Sequence, residues 1–87
     1  MNKKLLIFIK AIGDPTRLRI LNHLRKECCV GDLWQKLNLS QNLCSHHLRV
    51  LKEAKLISSK KMGLKVVYKL NEDFLESSLG ELKKYLS

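Results

Sequence analysis

The chain is poor in the features that catalysis or membrane insertion would require. Its four glycines (Gly13, Gly31, Gly63 and Gly80) form no phosphate-cradling loop, and no paired carboxylate set or zinc-hydrolase motif occurs. Eighty-seven residues also leave little room for a deep pocket. A cysteine near a histidine is the only hint of a nucleophile, so the chain is read as a non-enzyme. No apolar run approaches the roughly 18 residues that cross a bilayer. The stretch from Met1 to Ile12 is an interrupted amphipathic pattern rather than a signal peptide, which places the expectation in the cytoplasm. Three cysteines, Cys28, Cys29 and Cys44, are an odd number without disulfide-framework spacing, and in a reducing compartment they are thiols first. A single proline, no repeats and no low-complexity linker leave one compact domain over residues 1–87. A domain this small is marginal alone, which makes a partner subunit a sensible expectation.

Acidic residues are scarce too. Eight Asp and Glu face 17 Lys and Arg, a formal charge of +9, and so strong a positive field on a small body suggests a polyanion, nucleic acid first. The excess is localised. Lys55 to Lys69 holds five lysines and no acid, whereas Leu70 to Ser87 holds four acids and two lysines. A solvated basic surface is the plain alternative, and the localisation favours a binding surface.

Leu5, Phe8, Ile9 and Ile12 recur at helical spacing before Gly13, a residue that commonly closes a helix. Asp14 then serves as an N-cap with Pro15 at the first helical position. This second helix is expected to run to about Lys26, with Leu18, Leu21, Leu24 and Ile20 as its apolar face and Arg17, Arg19 and Arg25 as charge elsewhere around it. Val30, Leu33, Trp34 and Leu37 predict a third short helix, ended by Asn38 in a left-handed cap. Ser40 caps a fourth, with Cys44, His47, Leu48 and Leu51 on a core face and Asn42, Ser45, His46 and Arg49 on a free polar face. Residues 30–53 thus read as a helix-turn-helix.

From Leu56 the period changes to two. Residues 56–70 predict a lysine-rich β-hairpin with a turn at Met62 and Gly63, and with Leu64, Val66, Tyr68 and Leu70 alternating against Lys65, Val67 and Lys69. Asn71 caps a last helix carrying Glu72 and Asp73 in its first turn, Lys83 and Lys84 in its last, and an apolar stripe of Leu75, Leu79, Leu82 and Leu86. The fold expected is mainly α with a β-hairpin wing: four helices, two strands, one helix. The helices over 1–12 and 72–86 are expected to pack across a two-fold axis in a homodimer, through Leu5, Phe8, Ile9, Ile12, Leu75, Leu79, Leu82 and Leu86. The alternative is that both stripes fold back on their own core.

Ala11-Ile12-Gly13-Asp14-Pro15-Thr16-Arg17-Leu18-Arg19-Ile20-Leu21 and Leu39-Ser40-Gln41-Asn42-Leu43-Cys44-Ser45-His46-His47-Leu48-Arg49-Val50-Leu51 are long, specific motifs that resemble the opening signature and recognition helix of the ArsR/SmtB metal-responsive repressors. Glu53-Ala54-Lys55-Leu56-Ile57 and the Gly63 to Leu70 strand are similar to the segments leading into and out of that family's wing. The resemblance covers nearly the whole chain and implies a dimeric winged helix-turn-helix repressor. Such a protein sits on a double-stranded operator near its own gene and leaves when an inducer binds.

Base-reading candidates are Asn42, Ser45, His46 and Arg49, with Gln41 at the positive N-terminal end of their helix. Leu43 departs from the small hydroxyl residue that resembling proteins often carry; it either touches a thymine methyl or packs. Lys60, Lys61 and Lys65 are the expected phosphate contacts of the wing, with a solvated hairpin as the bland alternative.

Where metal-sensing members read Glu-Leu-Cys-Val-Cys-Asp-Leu, this chain reads Glu27-Cys28-Cys29-Val30-Gly31-Asp32-Leu33. Cys29 matches the first ligand and Gly31 replaces the second, so a site for As(III), Cd(II) or another thiophilic ion needs Cys28 as a substitute. Thiol oxidation at the pair and no sensing role remain open beside ligation. Cys44 falls at a core position and is expected to pack. The family's other sensing position, on the last helix, needs histidines; here Asp73 stands with none after His47, so no zinc or nickel site is expected there. The rival readings are a winged-helix architectural protein without sensing and a domain that contacts proteins instead.

Overall fold

The computed structural model describes residues 1–26, 29–30 and 32–87, the pair at 29–30 by its backbone. The order is α1 (Lys3–Ile12), α2 (Pro15–Lys26), β1 (Cys29–Val30), α3 (Leu33–Lys36), α4 (Gln41–Glu53), β2 (Ile57–Met62), β3 (Lys65–Leu70) and α5 (Glu72–Leu86). No helix among the described residues is long and apolar enough to cross a membrane.

Local chemistry sets the helix starts. Asn2 caps α1 through Leu5 N–H (2.7 Å), Asp14 caps α2 through Arg17 N–H (3.0 Å), Ser40 caps α4 through Leu43 N–H (3.1 Å), and Asn71 caps α5 through Phe74 N–H (3.3 Å). Each side-chain oxygen satisfies a donor that has no partner within the helix. Asn38 takes the expected left-handed backbone (φ 56) after α3. There the Leu39 N–H bonds Trp34 O and the Asn38 N–H bonds Gln35 O, the pair of bonds that closes a Schellman ending. α4 ends in the same way, with Leu56 N–H to Leu51 O and Lys55 N–H to Lys52 O. The left-handed residue there is Lys55 (φ 65), which no sequence signal announced.

Four expectations are corrected. Val30 does not open the third helix: Cys29–Val30 is a short strand, and α3 is confined to Leu33–Lys36. The strand pairs antiparallel with β3, Cys29 opposite Tyr68 and Val30 opposite Val67, so the sheet has three strands in the order β1-β3-β2. The hairpin turn lies at Gly63 and Leu64 rather than Met62 and Gly63, since Met62 still pairs with Lys65. Gly63 (φ 66) then occupies the first central position of a two-residue turn, where glycine meets no Cβ penalty. α1 does end at Ile12, yet Gly13 is not left-handed (φ −78). A Cβ there would sit 3.1 Å from Ile9 O, so close approach to the preceding turn, not backbone freedom, favours glycine. Finally, Leu18 is exposed and the apolar face of α2 is Ile20, Leu21 and Leu24.

The core gathers Leu5, Phe8 and Ala11 from α1 with those three residues, Leu33, Leu37, Cys44, Leu48, Leu51, Ala54, Leu56, Ile57 and Leu70. Leu5 and Phe8, expected on a partner-facing stripe, are therefore buried in the chain's own interior at 4% and 1% exposure. Their helix lies across α2 and α5, and burial within the chain removes them from any second interface. Ile9, Ile12, Leu75 and Leu82 are half-buried against the same core, while Leu79 and Leu86 stand exposed.

A lysine in the left-handed region is strained by about 1–2 kcal/mol relative to glycine, part of which glycine returns through its freer unfolded chain. Lys55 is exposed, so Lys55→Gly is expected to raise stability by about 0.5–1 kcal/mol, read as a higher urea midpoint. An unchanged or lower midpoint contradicts the strain argument.

Candidate nucleic-acid interface

The orientation of α4 is set by its buried side. Cys44, His47, Leu48 and Leu51 point into the core, and His47 meets a polar anchor there. Arg17 donates through Nε to Ala11 O (2.7 Å) and through Nη2 to Lys10 O (3.0 Å), capping the last carbonyls of α1. Its Nη1 lies 3.2 Å from His47 Nδ1. A guanidinium has no acceptor, so Nδ1 must accept and the ring is the neutral tautomer with its proton on Nε2. Asp14 Oδ2, the cap of α2, stands 3.9 Å from the same nitrogen. Arg17, expected as surface charge, is thus a partly buried tie between α1, α2 and α4.

The opposite side of α4 is free. Gln41, Asn42, Ser45, His46 and Arg49 are all exposed, and so are Lys60, Lys61 and Lys65 of the hairpin. Two clefts separate helix from hairpin. The larger, about 640 Å³, brings Gln41 and Ser45 to Lys36 of α3 and to Leu64 and Lys65. The smaller, about 240 Å³, brings Ser45 and Arg49 to Lys52, Ser59 and Tyr68. Burial, and then the neighbouring Cys44, push the Tyr68 phenol above its ordinary value, which keeps its O–H as a donor. The pleat divides the lysines: Lys61 alternates to the face of Ile57 and Ser59, whereas Lys60 alternates to the other. His46 leans away from the hairpin, into a shallow hollow with Ile7, Lys10, Arg17 and Val50.

Lys52 and Lys36 were missed as candidates. Lys52 had a signal, because it follows Ser45 by seven residues and Arg49 by three, the spacing of one helical face. Lys36 had none, since only the tertiary fold brings α3 beside the wing. Of the thiols, Cys44 is buried as expected (2% exposed). Cys28 and the side chain of Cys29 lie outside the described residues, as does Gly31. The remaining described residues bring together no group of three metal-ligating side chains.

Burial, foremost, holds His47 below its ordinary value near 6.5, and Arg17 and His46 add to that against the pull of Asp14. The unfolded chain therefore binds this proton more readily than the folded one, so the stability from neutral His47 is complete above about pH 6.5 and declines as pH falls through that value. The urea midpoint is expected to drop between pH 7.5 and 5.5, and to drop less in His47→Gln. Equal slopes for the two proteins would show that the contact does not titrate with folding.

The family described as "Bacterial regulatory protein, arsR family" matches residues 14–59. The transcriptional repressor SdpR of Bacillus subtilis is 37% identical over 79 residues, which cover 90% of this chain and 88% of that protein. An arsenical resistance operon repressor of Staphylococcus xylosus is 39% identical over 75 residues, 85% of this chain and 72% of the other. Among solved structures, NolR from Sinorhizobium fredii superposes with a TM-score of 0.78 at 32% identity, covering 95% of this chain and 84% of that one. The matched segment contains the α2 anchor, the whole of α4 and the start of the hairpin, and on these grounds the chain belongs to the arsR family of bacterial regulatory proteins.

Proposed function

We propose that this protein is an autoregulatory repressor that binds a double-stranded operator as a homodimer, reading bases with α4 and holding phosphates with the β2–β3 wing. Its relatives are named transcriptional repressors, and it is a transcriptional repressor of the same family. The observation that carries the detailed reading is the free face of α4. Five exposed polar or basic side chains stand on a helix whose other face is locked into the core, flanked by exposed lysines. That arrangement suits insertion into a major groove, with Asn and Gln amides pairing with adenine and Arg49 with guanine. Lys52, Lys61 and Lys65 would take the adjoining backbone, with Lys36 beside the larger cleft.

The dimer rests on surface accounting. A monomer of 10.1 kDa is expected to expose about 5,300 Å², whereas this chain exposes 6,297 Å². The excess of about 1,000 Å² resembles one side of a standard interface. Leu79 and Leu86 of α5, with Leu6 and Ile7 of α1, are the exposed apolar residues of the terminal helices that suit it, beside half-buried Ile9, Ile12, Leu75 and Leu82. Leu79→Glu is expected to shift the protein from dimer to monomer in sedimentation at micromolar concentration while its helical circular dichroism persists. A monomeric wild type would remove the proposal.

The inducer reading rests on Cys28 and Cys29. With Gly31 at the second ligand position, Cys28 and Cys29 supply two thiols, the minimum of the two or three convergent thiolates that a high-affinity As(III) site uses, and any ion would be held by these two alone. A bound ion would supply only cross-linking of the thiols, and thiol oxidation would act on the same pair. The compartment that keeps them reduced is the cytoplasm.

One set of binding curves on duplexes selected from a random pool tests these readings together. Arg49→Ala or Asn42→Ala is expected to cost about 1–3 kcal/mol and to relax preference at one base position. Lys61→Ala and Lys65→Ala should weaken all duplexes alike and lower the salt slope by about 0.9 per lost contact. If the lysine variants bind as wild type does, the hairpin is not a wing on phosphate. Arsenite, cadmium or a mild oxidant added to the complex should release reduced wild type and spare Cys28→Ser and Cys29→Ser; indifference to all three agents drops the thiol inducer.

A further inference from the structure

Leu43 is the one large apolar side chain on the leading turn of α4. The Ser40 hydroxyl accepts its N–H at 3.1 Å, which fixes Leu43 in that first turn. Helical side chains lean toward the N-terminus, so this one covers the end of the helix that would enter a groove first. It is 44% exposed, whereas the next residue, Cys44, is 2% exposed. Leu43 belongs neither to the core nor to the half-buried residues packed against it. The fold therefore gains little from a leucine here, and its neighbours Asn42 and His46 are exposed and polar. Exposure of a single leucine is ordinary; its place among base-reading candidates is what carries weight. The first turn also contains no acidic residue to repel DNA.

Base edges in the major groove present donors, acceptors and one apolar group, the C5 methyl of thymine. We infer that Leu43 is a specificity-determining residue that reads a thymine methyl. Beside it, the amides of Gln41 and Asn42 match the N6 and N7 pattern of adenine. The leading turn of α4 is thus set for A·T pairs, while Arg49, later on the helix, is set for guanine. This inference rests on the proposed operator binding.

The test removes the methyl and nothing else. On the duplex that wild type selects from a random pool, each thymine is replaced in turn by deoxyuridine. At one or more positions the swap is expected to weaken wild type about fourfold, the value of one buried methyl-sized group. Leu43→Ala, compared on the same duplexes, should bind less tightly with thymine and show no response to uracil at that position, while Leu43→Met retains the response. Because the side chain is outside the core, Leu43→Ala should keep the wild-type urea midpoint. If every thymine-to-uracil swap affects wild type and Leu43→Ala equally, the inference is overturned while selective binding leaves the repressor reading in place. If wild type selects no sequence, both fall.

Discussion

The Arg17 guanidinium is the contact on which the geometry of the molecule turns. Three of its nitrogens are engaged at once, by two carbonyls at the end of α1 and by the ring nitrogen of His47 in α4. The carbonyls are groups that a helix end always leaves without partners. Satisfying them from α2 fixes α1 against α2, and the third bond fixes α4 against both. A lysine could not reproduce the arrangement, because its ammonium is a point donor rather than a planar fork. The aim of the exposed polar side of α4, the proposed base-reading face, therefore depends on a residue on the opposite side of that helix.

A second polar hinge acts at the far end of α4. Asn71 caps α5, and at the same time its Nδ2 donates to Lys55 O (3.2 Å) and its backbone N–H to Leu56 O (2.9 Å). The corner after α4 is thereby joined to the point where β3 hands over to α5. The Ile57 to Leu70 pairing completes the closure, since both residues are buried. The hairpin consequently leaves the core at a fixed angle beside α4, and the clefts lined by Ser45 and Arg49 follow from that placement.

What the sequence disclosed was what short-range chemistry determines. Asp14, Ser40 and Asn71 announced three helix starts because a cap needs only the N–H three residues on. The two faces of α4 followed from spacing alone. Apart from the local details at Gly13 and the hairpin turn, the misreadings involve partners distant in the chain. Val30 fits a helical period, but two strand residues become stable when β3, some 40 positions later, supplies the ladder. Arg17 looks like surface charge until His47, 30 residues away, is placed beside it. Leu5 and Phe8 were correctly placed on one stripe, yet periodicity does not say which body covers a stripe. Lys36 reaches the wing cleft only through the packing of α3. The wing lysines were visible as a charge run, whereas their division between two faces needed the register.

The capping residues also carry a functional pattern. An acidic cap or an acid in the first turn stabilises a helix through its dipole, and three helices have one: α2 with Asp14, α3 with Asp32, which makes no side-chain cap bond, and α5 with Glu72 and Asp73. α4 does not. It starts from neutral Ser40, its first turn has no acid, and its only acid, Glu53, is the last residue. On stability alone the omission is unfavourable, typically by 0.3–1 kcal/mol per missing charge. A negative charge at that end would oppose a phosphate and cancel the helix's own attraction for anions. Asp14, Glu72 and Asp73 stand away from the proposed interface, Asp14 facing His47 at the anchor and the α5 pair starting the helix opposite the wing tip, whereas exposed Asp32 lines the larger cleft beside Lys36 and Gln41. A chain of +9 thus places its helix-starting acids on the scaffold helices α2 and α5 as well as on α3, and the leading turn of α4 is left with the helix's own attraction for an anion.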